Sequence, residues 1–294
     1  MHIPFTCPHC GHQTMVSAEY AGRSGPCVQC GRTITVPYSA SASTAPTRSS
    51  TGMWVIVILA VFLVVALMVM GMMAALLLPA VSAARGAARN AACKNNLKQI
   101  ALAMEMYADA NGRYPPAYTV DKNGNRLHSW RVLLLPYLEH KALYEQIDLE
   151  QPWDSPRNQP FHSQMPRIFL CPSSELDDDM TSYVVIAGPR TLFEEGTKVT
   201  PANYRDGGSN TILLAEVNDS GINWMEPRDL DLDSMDMTIN GQPGNSIGSP
   251  HPQGANAAAA DGRIHMLRND LDPETLWALI TREGGEIVQF PSGQ

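Results

Sequence analysis

The chain has 294 residues, 44% of them apolar and 17% charged, and a formal net charge of −8. Such a mixture describes a globular protein with one added hydrophobic segment. From Gly112 onward 14 Lys and Arg stand against 26 Asp and Glu, a net of −12. That field repels phosphate backbones and argues against nucleic acid as the partner of this part.

The N-terminus MHIPFTCPHCGHQ has no basic region followed by an apolar one, so the apolar segment further along is expected to be retained rather than cleaved. Cys7-Pro8-His9-Cys10-Gly11 and Cys27-Val28-Gln29-Cys30-Gly31 form two C-x2-C pairs 16 residues apart. Four thiolates on two tight knuckles match tetrahedral zinc, and a glycine after each pair lets the backbone turn under its sulfurs. A segment of this size has too small a core to fold unaided, so structural zinc is expected to stabilise residues 1–36. Residues 37–52, rich in Ser, Ala, Thr and Pro, read as a flexible linker.

Met53 to Leu78 carries no charge. At about 1.5 Å per residue it reaches roughly 39 Å, enough to cross a hydrocarbon core of about 30 Å with some tilt. Residues 53–79 are therefore expected to form a transmembrane helix, kinked by Pro79. Residues 80–111 continue it as an amphipathic helix, with Val81, Ala84, Ala88, Ala91, Leu97, Ile100, Met104 and Tyr107 along one face. Asn111-Gly112 caps its end.

The orientation rests on competing signals. Arg48 alone flanks the span on its N-terminal side, whereas Arg85, Arg89, Lys94 and Lys98 follow it, which by the positive-inside rule places the large domain in the cytoplasm. A thiolate zinc site, however, belongs in a reducing compartment, and the two remaining cysteines, Cys93 and Cys171, can pair in an oxidising one. The expectation is a cytoplasmic N-terminus, a single pass through the inner membrane, and an extracytoplasmic domain over 112–294.

Within that domain Ser129 to Leu149 has helical spacing interrupted by Pro136, and Ser182 to Ala187 and Asn210 to Val217 are short β-rich runs. Ala255 to Leu267 reads as a hairpin turning at Asp261-Gly262, Glu274 to Thr281 as a helix, and Glu286 to Phe290 as a last strand. A helix first and strands afterwards point to an α+β fold.

Asp229, Asp231, Asp233 and Asp236 concentrate oxygen ligands and raise calcium as a second cofactor, without the Gly turn and distal Glu of an EF-hand loop. His251 with Asp261 invites a catalytic reading, but turn chemistry already accounts for Asp261-Gly262 and capping of a strand accounts for His251. With no nucleophile elbow and no phosphate loop, an enzyme is not indicated.

Residues 1–36 resemble the short zinc ribbons at the start of many bacterial membrane proteins. The runs LLLPAVSAARGAARNAACKNNLKQIALAMEMYADANGRYPPA, SWRVLLLPYLEHKALYEQIDL, FLCPSS, DGGSNTILLAEV, WMEPRDL and HPQGANAAAADGRIHML resemble a pilin-like family of unknown function, domain of unknown function 1559, expanded in planctomycete bacteria. The last run carries the family's signature of His, nine residues, then Asp-Gly, at His251, Asp261 and Gly262. The resemblance implies a type IV pilin or type II secretion pseudopilin architecture, in which a long N-terminal transmembrane helix packs its second half on an antiparallel sheet. It also implies that the domain faces away from the cytoplasm. The chain departs from the family's leader, with Gly52-Met53-Trp54 and no acidic residue in the span. A permanent anchor is therefore expected rather than a processed filament subunit, although pilin-like assembly stays open.

The expected function is that of a non-catalytic membrane component, structural or secretion-associated, with protein partners. The alternative is an envelope module that binds a solute or glycan, for which a deep pocket lined by several tryptophans would be the mark.

Overall fold

The uncharged run from Met53 folds as expected into a helix, and a longer one than its apolar stretch. The computed structural model describes residues 2–38, 51–200, 207–282 and 290, in which α1 runs unbroken from Thr51 to Asn111 through Pro79. Most of the 37–52 linker and of the expected strand Glu286 to Phe290 lies outside the described residues. The chain divides into two units, Met1–Met73 and Ala74–Gln294.

The first unit contains two antiparallel hairpins, β1 (His2–Thr6) with β2 (Gln13–Ser17), and β3 (Ser24–Pro26) with β4 (Thr33–Thr35). The start of α1 also belongs to it, and residues 53–81 of the helix are exposed throughout. No part of the helix's most apolar window is covered by the rest of the chain, so this stretch does not serve as globular core. By length and composition this helix can cross a membrane.

In the second unit the same helix becomes a core element. Cys93, Leu97, Ile100, Ala101, Met104 and Ala108 are buried at spacings of three and four, which puts them on one stripe. The stripe begins at Cys93. Val81, Ala84, Ala88 and Ala91, assigned to it by periodicity, are exposed, because they point away from the face of Cys93; Gly86 and Asn90, seven and three residues before it, are partly buried, and Asn90 Oδ1 accepts from Asn256 Nδ2 of β11. Gly112 N–H returns to Ala108 O at 2.7 Å to close the helix.

Beyond α1, β5 (Tyr118–Val120) pairs with β6 (Arg126–Ser129), followed by α2 (Trp130–Leu134) and α3 (Lys141–Tyr144). A 3-10 turn over Leu135–Leu138, with Pro136 near its start, separates the two helices and accounts for the interrupted helical spacing. Next come β7 (Tyr183–Val184), β8 (Ile186–Ala187), β9 (Ile212–Glu216), β10 (Leu230–Asp231), β11 (Gly254–Ala259), β12 (Ile264–Arg268) and α4 (Pro273–Ile280).

The main sheet has the order β12-β11-β9-β7 and is antiparallel throughout. Its two faces bury different things. Ala255, Ala257 and Ala259 pack with Leu276, Leu279 and Ile280 of α4, whereas Ala258 and Ala260 belong to the cluster containing the α1 stripe. An alanine-rich central strand suits this position, because small side chains allow helices to approach both faces. The resulting fold is α+β, as the order of elements indicated.

Candidate metal centres

In the first unit each C-x2-C pair sits on a knuckle made by the same two backbone bonds. Cys7 N–H donates to His12 O and Gly11 N–H to Cys7 O, and Cys27 N–H donates to Arg32 O and Gly31 N–H to Cys27 O, all within 2.8–3.0 Å. Gly11 and Gly31 take left-handed φ values of 75° and 69°, which only glycine adopts without strain. The knuckles bring the four thiols together. All four sulfurs lie within 4.8 Å of one another, with Cys7 to Cys30 at 3.9 Å and Cys10 to Cys27 at 3.8 Å.

Four thiols this close respond unequally to deprotonation. The backbone N–H groups of Cys30 and Gln29 draw the Cys27 thiol down to about 6. The Cys10 thiol goes up to about 12: its backbone hydrogen bond at His12 opposes the rise, and desolvation and the three neighbouring sulfurs drive it. A cation at the centre is what lets all four carry charge, so the set can hold a metal ion.

A second cluster lies in the other unit, beneath the buried half of α1. Cys93 on α1 and Cys171 are joined in a disulfide, with Cα atoms 5.1 Å apart. His251 Nε2 lies 3.8 Å from the Cys171 sulfur and 3.8 Å from Glu216 Oε1. Glu216 is the last residue of β9 and is 1% exposed. Its Oε2 accepts from the Asn256 backbone N–H at 2.7 Å and from Asn256 Nδ2 at 3.0 Å, but its Oε1 has no hydrogen-bond partner. Burial pushes the Glu216 carboxyl up to about 7 against the pull of Asn256, of the Ser249 side chain and of the Lys94 charge. Burial holds His251 below the ordinary imidazole range, and the positive charges of Lys94 and Arg89 add to this.

The carboxylate that faces His251 is thus Glu216, and not Asp261. His251 precedes β11 and Asp261 follows it, so six residues of strand at roughly 3.3 Å each hold them apart. Asp261 instead accepts from Arg263 N–H at 3.0 Å within the hairpin turn, where Gly262 has a positive φ. One signal in the sequence points to Glu216: it is a lone charge at the end of the otherwise apolar run TILLAE. That signal is weak, because a strand end is also where a solvated Glu belongs.

The carboxylates of the four aspartates that suggest calcium do not gather into one tight donor group among the described residues. Asp229 is buried and engaged by Arg131 Nη2 at 2.6 Å, by Trp130 Nε1 and by the Val185 N–H. Asp231 accepts from Asp233 N–H, and Asp236 from Thr238 and Gln242. Groups of three or more possible metal donors among the described residues are the N-terminal thiols and the cluster around His251, and these aspartates are in neither. A cavity of about 630 Å³ borders Asp229, Asp231 and Asp233, together with Arg126, Glu194 and Arg228, and no tryptophan lines it. Trp130 and Trp224 are instead fully buried in the core.

Residues 82–201 match the model of a family described as a protein of unknown function (DUF1559). The match takes in the buried half of α1, α2, α3, β7 and β8, with Cys93 and Cys171, and supports the family resemblance. No curated protein and no solved structure matches the chain.

Proposed function

We propose that this chain is a non-catalytic, single-pass inner-membrane protein whose C-terminal unit is a pilin-like or pseudopilin-like extracytoplasmic domain. It serves as a structural or secretion-associated component with protein partners, and its N-terminal knuckles form a cytoplasmic zinc ribbon. The observation that carries this reading is the change in α1 along its length. The helix is bare and apolar over residues 53–81, and from Cys93 onward it buries a stripe on an antiparallel sheet. A bare apolar helix of that length needs lipid, and a sheet folded on its far end is what a membrane-anchored pilin-like subunit requires.

Zinc is supported by geometry. Metal–sulfur bonds of about 2.3 Å in a tetrahedron set the sulfurs about 3.8 Å apart, close to the 3.8 and 3.9 Å separations of the knuckle cysteines. Orientation is supported by redox chemistry, since the disulfide lies in the C-terminal unit and the four N-terminal thiols are free.

Protease added to intact spheroplasts tests the arrangement. The domain from Arg113 onward is expected to be digested while an epitope on residues 1–36 survives. Digestion of the epitope with protection of the domain overturns the orientation, and recovery of the whole chain in the soluble fraction overturns the membrane reading.

A further inference from the structure

The buried cluster around His251 holds an unresolved polar contact. His251 Nε2 and Glu216 Oε1 stand 3.8 Å apart, too far for a hydrogen bond, and although the Ser249 side chain also acts on this carboxyl, Oε1 accepts no hydrogen bond. Leaving a carboxylate oxygen bare at 1% exposure costs more than an ordinary core tolerates. Yet Asn256 holds the other oxygen with two donors, which fixes the carboxylate so that Oε1 is aimed at the imidazole and the cysteines.

The donor atoms of Cys93, Cys171, Glu216 and His251 all lie within 4.8 Å of one another. A separation of 3.8 Å from the imidazole nitrogen is within about 0.5 Å of the edges of a coordination tetrahedron, about 3.3 Å between nitrogen and oxygen and about 3.5 Å between nitrogen and sulfur for bonds of about 2.0–2.3 Å, a gap that small side-chain shifts close. We propose that Cys93, Cys171, Glu216 and His251 form a second metal site, for a zinc-like divalent cation, which the Cys93–Cys171 disulfide closes and its reduction opens.

The two states are alternatives for the same pair of sulfurs. An external dithiol delivers two electrons and two protons, so that the Cys93–Cys171 bond breaks to two thiols and the reductant leaves as a disulfide. The cation then displaces the two thiol protons and binds two thiolates, one imidazole and one carboxylate. This donor set favours zinc-like ions over calcium or magnesium. Two thiolates and a carboxylate around a divalent ion leave one negative charge, and the positive field of Lys94 reaches both Glu216 and His251.

The test uses the full-length chain in detergent with Cys7, Cys10, Cys27 and Cys30 all replaced by Ser, so that the N-terminal thiols contribute nothing. Cobalt(II) is titrated before and after reduction by a phosphine, and thiolate-to-cobalt absorption is read together with metal per chain. One cobalt per reduced chain, none per oxidised chain, and loss of that cobalt in Glu216→Gln and His251→Ala support the site. An oxidised chain that binds as much as the reduced one, or a reduced chain that binds none, overturns it. So does a cobalt retained by both variants. Melting of the reduced chain with and without zinc provides a second measurement: a rise with zinc that Glu216→Gln abolishes supports the site, and a reduced chain that fails to fold even with zinc overturns it.

Discussion

The guanidinium of Arg131 meets the carboxylate of Asp229 at 2.6 Å, with side chains 0% and 2% exposed. Every other group around them completes the pair. Arg131 also donates to Tyr183 O and Ser129 Oγ, and Asp229 also accepts from Trp130 Nε1 and Val185 N–H. The arrangement ties the SWR run to the PRDL run across the end of β7, so two short motifs far apart in sequence become one buried network.

Breaking that pair from either side leaves an uncompensated buried charge. Asp229→Ala and Arg131→Ala are each expected to destabilise the C-terminal unit by about 3–5 kcal/mol. The double change Arg131→Met with Asp229→Leu is expected to cost less than either single one, as read by denaturant midpoints of the full chain in detergent. If Asp229→Ala melts like the parent, the network is not structural.

The buried stripe of α1 predicts a contrast along one helix. Leu97→Ala removes a side chain with no exposure and is expected to cost about 2–5 kcal/mol. Leu102 is 54% exposed, and Leu102→Ala is expected to stay within about 0.5 kcal/mol. Equal losses at both positions would mean that the helix buries a different face.

Gly254 opens β11 with φ +148°, and a Cβ there would stand 2.0 Å from the Leu267 carbonyl oxygen. Gly254→Ala is expected to loosen the β11–β12 hairpin and lower stability by at least about 1–3 kcal/mol. Gly86→Ala on α1 has open space around its Cβ and is expected to be neutral or slightly stabilising. Hydrogen exchange of β12 amides distinguishes the two.

His128 sets a pH dependence. Its Nε2 pairs with Asp148 O at 3.1 Å, and burial lowers its affinity for protons below that of a free imidazole against the pull of the Asp148 and Gln151 backbone carbonyls. The unfolded chain therefore binds the proton first as pH falls. Stability from this residue is complete above about pH 6.5, the ordinary imidazole value, and is lost as pH drops toward the folded value. His128→Gln is expected to flatten the melting temperature between about pH 6.5 and 5, whereas an unchanged slope would place the transition elsewhere.

By itself the sequence determined the long apolar helix, the two C-x2-C knuckles, the turn at Asp261-Gly262 and the α+β order of elements. Each of these depends on residues within a turn or two of one another, where spacing and glycine or proline chemistry act directly. Only the tertiary structure decided that Asp229 faces Arg131 rather than a loop cation, that Glu216 and not Asp261 stands opposite His251, and that the α1 stripe begins at Cys93 and not at Val81. Those outcomes follow from strand register and from which face of α1 meets the sheet, which bring together side chains 35 to 98 residues apart and leave no unambiguous periodic trace in the chain.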